Sequence, residues 1–363
     1  MRVRLFSLLA VVALAVGVID VGVLYSRTRP SHVTRPAAAP AAIDRASDSP
    51  TDPTVPDPGQ GTPLSTTGPV RAAALPVGPR RVGPWRVGTV VAHFVDVSRP
   101  APARTGGGPG RPLDTVLQYP IDGDPAAPPV DSNPAPAAGG PFPLVVFVHG
   151  FDVTPTTYMA LTQAWARAGY VVASPAFPGE VGGTDGATQD DLVNEPGDVQ
   201  FIISSMMAAT APIRAAVDAT KVAVAGHSDG AETAAAVGLD RCCRDPRVGA
   251  TIVMSGAEFS GPGSGYVGVR HAPVLILQSD SDEINDPSNA VRLYNDSPGQ
   301  VWFLSIIGGR HLEPYVGTDP KWAIVVRATT DFLNLTLKNS QGRLERFERD
   351  AIVPGVGKLY LKK

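Results

Sequence analysis

The chain is nearly without thiol: it holds two cysteines, adjacent at 242 and 243, in 363 residues. Neighbouring Cα atoms lie about 3.8 Å apart, under the usual disulfide spacing. The pair therefore reads first as two small apolar residues at a helix end, with a strained vicinal disulfide or a redox role as the alternative. Neither has a histidine at metal-ligand spacing, so no metal site is expected. An excess of one charge is missing too. Thirty-one Lys and Arg against 34 Asp and Glu give a formal net charge of −3, and charged residues are only 18% of the total. Without a basic cluster, a nucleic-acid partner is excluded. No internal repeat is visible.

What is present divides unevenly. Hydrophobic residues make up 43%, enough for a sizeable core, whereas much of the proline falls before residue 145. Residues 1–26 start with Arg2 and Arg4, followed by an apolar run from Leu5 to Ile19 that resumes past Asp20 as far as Tyr25. This reads as a signal peptide or signal anchor. The uninterrupted run is 15 residues, short for a span, but counted through Asp20 it reaches about 21. No small-x-small cleavage site directly follows, and no cysteine follows that could carry a lipoprotein anchor. The expectation is export, with possible membrane attachment through residues 5–25 and a secreted or cell-envelope location. Residues 27–83, rich in Pro, Ala, Thr, Ser and Asp, read as a disordered, extended linker. The folded domain is expected over 84–345, with 346–363 as a tail.

Inside that domain, Trp85–Val97 and Leu113–Tyr119 suggest an antiparallel pair. Strand and helix patterns then alternate. Strands are expected at Leu144–Val148, Tyr170–Ala173, Lys221–Ala225, Val248–Met254, Val274–Gln278 and Val301–Ile307. Helices are expected at Pro155–Ala168, Asp190–Ala209, Ala231–Leu239, Pro287–Tyr294 and Lys321–Leu337. Such alternation predicts a mostly parallel sheet of about eight strands with helices on both faces, an α/β fold. Ligands in such sheets bind beyond the carboxyl ends of the strands, so chemistry should follow strands.

It does. Lys221–Ala225 runs into Gly226–His227–Ser228–Asp229–Gly230 and an Ala-rich helix. Glycines at 226 and 230 permit a tight turn that exposes the Ser228 hydroxyl at its apex, with the helix amino end aimed at the site. A serine needs a base. Of six histidines, His32 lies in the spacer, His93 in the first strand run, and His271 at the wrong end of the sheet. His227 would point away from its neighbour, and His149 belongs to another motif. That leaves His311, in the loop after the last strand. The acid comes from Ser279–Asp280–Ser281–Asp282–Glu283; Asp282 is preferred, with Asp280 the alternative. Backbone N–H donors for an oxyanion are expected at Asp229 and at Phe151, in the turn Val148–His149–Gly150–Phe151, which His149 and Gly150 shape.

Together these residues resemble the α/β-hydrolase family. The likeness is strongest to the branch of cutinase-like polyester hydrolases, chlorophyllases, dienelactone-hydrolase-like proteins and platelet-activating-factor acetylhydrolases. It is carried by Asp96–Ser98–Arg99, Arg111–Pro112–Leu113, Tyr119–Pro120, Val148–Phe151, Ala168–Gly169–Tyr170 and the Gly226–Gly230 elbow. The resemblance implies a serine hydrolase of carboxylic esters (lipid, polyester or small acyl) with Ser228, Asp282 and His311 as triad, no cofactor, and a monomer. Where many relatives have an apolar residue after the nucleophile, this chain has Asp229. The short gap at 174–190 leaves no room for a large lid, so an open site is expected. Two alternatives use the same sequence: an envelope acyltransferase with the same triad, and a non-catalytic binding protein on this fold.

Overall fold

The computed structural model describes residues 62–63 and 83–362, apart from 183–185, 209, 257–258, 260, 262–264, 267–268, 270, 318 and 339–342. These residues fall in the unit Pro53–Lys363. The leader read at 1–26, and residues 27–61 and 64–82 of the linker, lie outside the described residues.

One sheet organises the described chain. Its strands are β1 (Thr62–Pro63), β2 (Arg86–Pro100), β3 (Pro109–Ile121), β4 (Phe142–Val148), β5 (Val171–Pro175), β6 (Val217–His227), β7 (Val248–Met254), β8 (Val274–Ser279), β9 (Val301–Ile306) and β10 (Gly357–Lys362). Their order across the sheet is β1-β10-β9-β8-β7-β6-β4-β5-β3-β2. The six central strands, β5, β4, β6, β7, β8 and β9, run parallel. Antiparallel strands flank them at both edges.

The sequence accounts for the parallel centre. A strand covered on both faces needs apolar residues at consecutive positions, and every residue of β4 is buried. Alternate side chains feed two cores. Val145 and Phe147 pack with Trp165 of helix α1 (Met159–Arg167), Phe332 of α5 (Trp322–Leu337) and Phe347 of α6 (Arg343–Ala351). Leu144 and Val146 pack with Ile202 of α2 (Glu195–Met207) and Val237 of α3 (Asp229–Leu239). On that second face α4 (Pro287–Asp296) joins α3 through Ala290 and Tyr294. Among the described residues no helix is long and apolar enough to cross a membrane.

Several expectations need correction. The sheet has nine strands beyond the two-residue β1, not about eight. The additional strand is β10, inside the segment read as a tail. It pairs antiparallel with β9 from Gly357↔Ile306 to Lys362↔Val301. Flanking lysines and a single deeply buried leucine, Leu359, gave too short an alternation to read as a strand. Phe347 of α6 is fully buried beside Trp302 and Phe332. Within the segment read as linker, Thr62 and Pro63 pair with Leu361 and Tyr360. The helix expected from Asp190 begins as a 3-10 turn at Gln189–Asn194, and α2 proper starts at Glu195 with Pro196 in its first turn, where a missing N–H is harmless. Cys242 and Cys243 are joined in a vicinal disulfide. They lie in the turn after α3, not within a helix, so the reading of two inert apolar residues gives way to the alternative.

Candidate active site

β6 delivers Gly226 and His227 to a sharp turn. At its apex Ser228 adopts φ 58 and ψ −126, a region that non-glycine residues seldom occupy. The flanking glycines make this turn possible. A Cβ on Gly226 would come within 1.9 Å of the Gly230 carbonyl oxygen, and one on Gly230 within 2.4 Å of the carbonyls of Val148 and His149. Any side chain there would force the elbow apart from the β4 turn. α3 starts directly at Asp229, so its positive end faces the serine.

Three loops then converge. His311 Nε2 lies 3.0 Å from Ser228 Oγ. His311 Nδ1 lies 3.0 Å from each oxygen of Asp282. Asp282 also accepts from the backbone N–H groups of Ile284 and Asn285 and from Gln278 Nε2. Burial pushes its carboxyl upward, but the hydrogen bonds from His311 and these amides outweigh burial and hold its pKa below the ordinary value. Asp280 does not join. It accepts from the Gly308 N–H at 2.6 Å and from Ser281 Oγ, fixing the start of the loop that carries His311. Ser228 and His311 are 9% and 8% exposed, so the pair is shielded yet reachable from solvent.

The β4 turn closes the other side. A Cβ on Gly150 would lie 3.0 Å from Ser228 Cβ, so only a bare backbone passes this close. The amides of Phe151 and Asp229 make no backbone hydrogen bond among the described residues, and both border the elbow. His149 ties this turn to the loop after β5: its Nδ1 donates to the Gly150 carbonyl at 2.8 Å and its Nε2 accepts from the Phe177 N–H at 3.1 Å. Burial lowers its pKa to about 4, keeping it neutral.

Other groups surround the site, two of them from the elbow itself. His227 does point away from Ser228, but into a buried position behind His311, with the two rings 4.7 Å apart. Asp229 is held by Gln189 Nε2 at 2.5 Å, and burial raises its pKa against that bond. Behind it, Glu180 and Glu195 are fully buried, Glu195 accepting from Thr233 Oγ1 at 2.8 Å. Burial, then repulsion from Asp229, pushes Glu180 up to about 8. No spacing in the sequence marks Glu180 or Glu195, because their partners are distant in the chain. Among the described residues no group of three or more His, Cys, Asp or Glu is placed to hold a metal ion.

A hydroxyl, an imidazole and a carboxylate in series are equipped for acyl transfer. Two comparisons with known proteins find a match. The family model described as chlorophyllase matches residues 123–257. A solved structure titled ferulic acid esterase, from Streptomyces cinnamoneus, superimposes with a TM-score of 0.59 at 23% identity, covering 79% of this chain and 98% of its own. No curated protein sequence matches the chain. By its sheet order and its structural neighbour the chain has the α/β-hydrolase fold, and its middle third is similar to the chlorophyllase family.

Proposed function

We propose that the protein hydrolyses carboxylic esters through an acyl-enzyme on Ser228. The observation that carries this is the unbroken series Ser228 Oγ, His311 Nε2, His311 Nδ1, Asp282, with both hydrogen-bond steps 3.0 Å long. His311 takes the proton of Ser228 as Oγ attacks the ester carbonyl. The carbonyl oxygen becomes an oxyanion and receives the N–H groups of Phe151 and Asp229 at the amino end of α3. As the intermediate collapses, His311 returns its proton to the departing alcohol. Water then repeats the sequence on the acyl-enzyme, releasing the acid and restoring Ser228. Asp282 stays ionised throughout and stabilises the imidazolium that forms twice per cycle.

Esters are the favoured class because the neighbouring structure is titled an esterase and the family pattern is that of chlorophyllases. Apolar acyl or alcohol groups suit the rim, where Phe151 is 38% and Ile284 66% exposed beside the oxyanion turn and the acid loop. The test combines a fluorophosphonate probe with p-nitrophenyl esters of graded acyl length. The wild type should carry one adduct, on the peptide containing Ser228. Ser228→Ala should carry none and lose turnover by about 10⁴- to 10⁶-fold. Asp282→Asn should lose about 10⁴-fold in kcat, while Asp280→Asn stays within roughly tenfold of wild type. A folded wild type that takes no probe and turns over no ester would refute the proposal.

A further inference from the structure

We infer that His227 and Tyr158 are positioning residues for the base: together they hold the His311 backbone so that its imidazole reaches Ser228 and Asp282 at once. The inference rests on the reading of His311 as the base.

His311 sits in a stretch without regular secondary structure, between the end of β9 and the 3-10 turn Glu313–Tyr315. A side chain on such a stretch is only as well placed as its backbone. Here both backbone groups of one residue are gripped by side chains. The His311 carbonyl accepts from His227 Nε2 at 2.8 Å, and its N–H donates to Glu283 Oε2 at 3.2 Å. His227 is the residue before the nucleophile, and Glu283 is the residue after the acid. Each loop that supplies a partner for the imidazole therefore also supplies a neighbour that grips the imidazole's own backbone. The two grips are unequal. The Glu283 side chain is 40% exposed and shared with Arg310, where water competes. His227 is 1% exposed, so its bond is made where no solvent can replace it.

The tautomer follows from the partners. A carbonyl only accepts, so Nε2 of His227 carries the proton and Nδ1 carries the lone pair. The Tyr158 hydroxyl lies 2.8 Å from that Nδ1 and donates to it. The opposite tautomer would set a lone pair against the carbonyl of His311, and Tyr158 disfavours it. Burial lowers the pKa of His227 to about 3, so no second positive charge forms beside the imidazolium. The ring is wedged in place: it packs at a tilt, with ring centres 4.7 Å from those of both His311 and Tyr315, and Tyr315 is itself tied to Ser255 Oγ at 3.0 Å.

If His227 merely filled space, a phenyl ring would serve as well. The test therefore compares His227→Phe, which keeps the ring and deletes the donor, with His227→Gln, whose amide N–H reaches the former Nε2 position. Ester hydrolysis and fluorophosphonate labelling are measured on each, with circular dichroism melts to confirm folding. A misplacement near 1 Å costs roughly 100-fold. His227→Phe should thus lose about 10- to 100-fold in kcat with KM within about threefold, and label proportionally more slowly. His227→Gln should recover most of the loss. Tyr158→Phe should lose less than His227→Phe, again in kcat, and serves as the second probe if the phenyl variant does not fold. Wild-type kcat and labelling in a folded His227→Phe or Tyr158→Phe, or a Gln variant no better than Phe, would overturn the inference. A wild type that takes no label would instead overturn the hydrolase reading, and this inference with it.

Discussion

At Glu180 a carboxyl is fully buried with neither oxygen hydrogen-bonded among the described residues. Burial raises both Glu180 and Glu195; repulsion from Asp229 adds to it at Glu180, and repulsion from Glu180 adds to it at Glu195. The sign of the stability effect follows. The unfolded chain releases the Glu180 proton near the ordinary 4.5, whereas the folded chain keeps it to about 8. Between those values the folded state binds more protons, so stability falls as pH rises through the window and levels off above it. Glu180→Gln abolishes that decline. Thermal midpoints of the two proteins should coincide near pH 4 and separate towards pH 8, with the Gln variant the more stable by roughly a few kcal/mol. Parallel midpoints across the range would show that the carboxyl titrates normally. None of this is legible in the sequence, where Glu180 stands in an ordinary loop. Ser228 is the opposite case. Its flanking glycines and the strand before it report a local constraint, and local constraints leave local marks.

Among the elements, the junction of β2, β3 and α2 depends on buried charge. Arg111, on β3, is 2% exposed and donates to Asp191 and Asp198, while Arg99 on β2 bridges Asp198 and Asp96. Asp191 belongs to the 3-10 turn that begins at Gln189, the residue holding Asp229 beside Ser228. Removing Arg111 leaves two carboxylates buried without their main partner. Arg111→Ala should therefore cost about 3–5 kcal/mol, read as a lower urea midpoint. Arg111→Met combined with Asp191→Asn and Asp198→Asn should recover much of it, since whole ion clusters are replaceable where half-clusters are not. An Arg111→Ala midpoint within error of wild type would mean that water already reaches the cluster. At this scale the sequence was informative wherever burial was continuous or periodic: β4 to β9 and the helices between them are apolar runs and amphipathic repeats. It was poor where an element owes its existence to a distant partner. β10 forms because β9 offers an open edge, and Gly357–Lys362 carries little pattern to announce it.

For the molecule as a whole, export remains a proposal, and the Cys242–Cys243 disulfide supports it, because such bonds persist mainly in oxidising compartments. Fractionated cells should yield the chain in the envelope or medium. There the peptide spanning 242–243 should resist alkylation until reduced. Recovery in the cytosolic fraction with both thiols free would contradict both statements. The parallel sheet has a further consequence. Ser228 and His311 lie 83 positions apart, and the loop carrying His311 is fastened from beyond it, by the bond of the Ile307 N–H to the Val356 carbonyl and by β10 closing over β9. A chain still emerging from the ribosome can shape its elbow before His311 is placed beside it. On the proposed mechanism, Ser228 should gain its base only once Val356 and Gly357–Lys362 have docked on β9, well after the elbow itself can form.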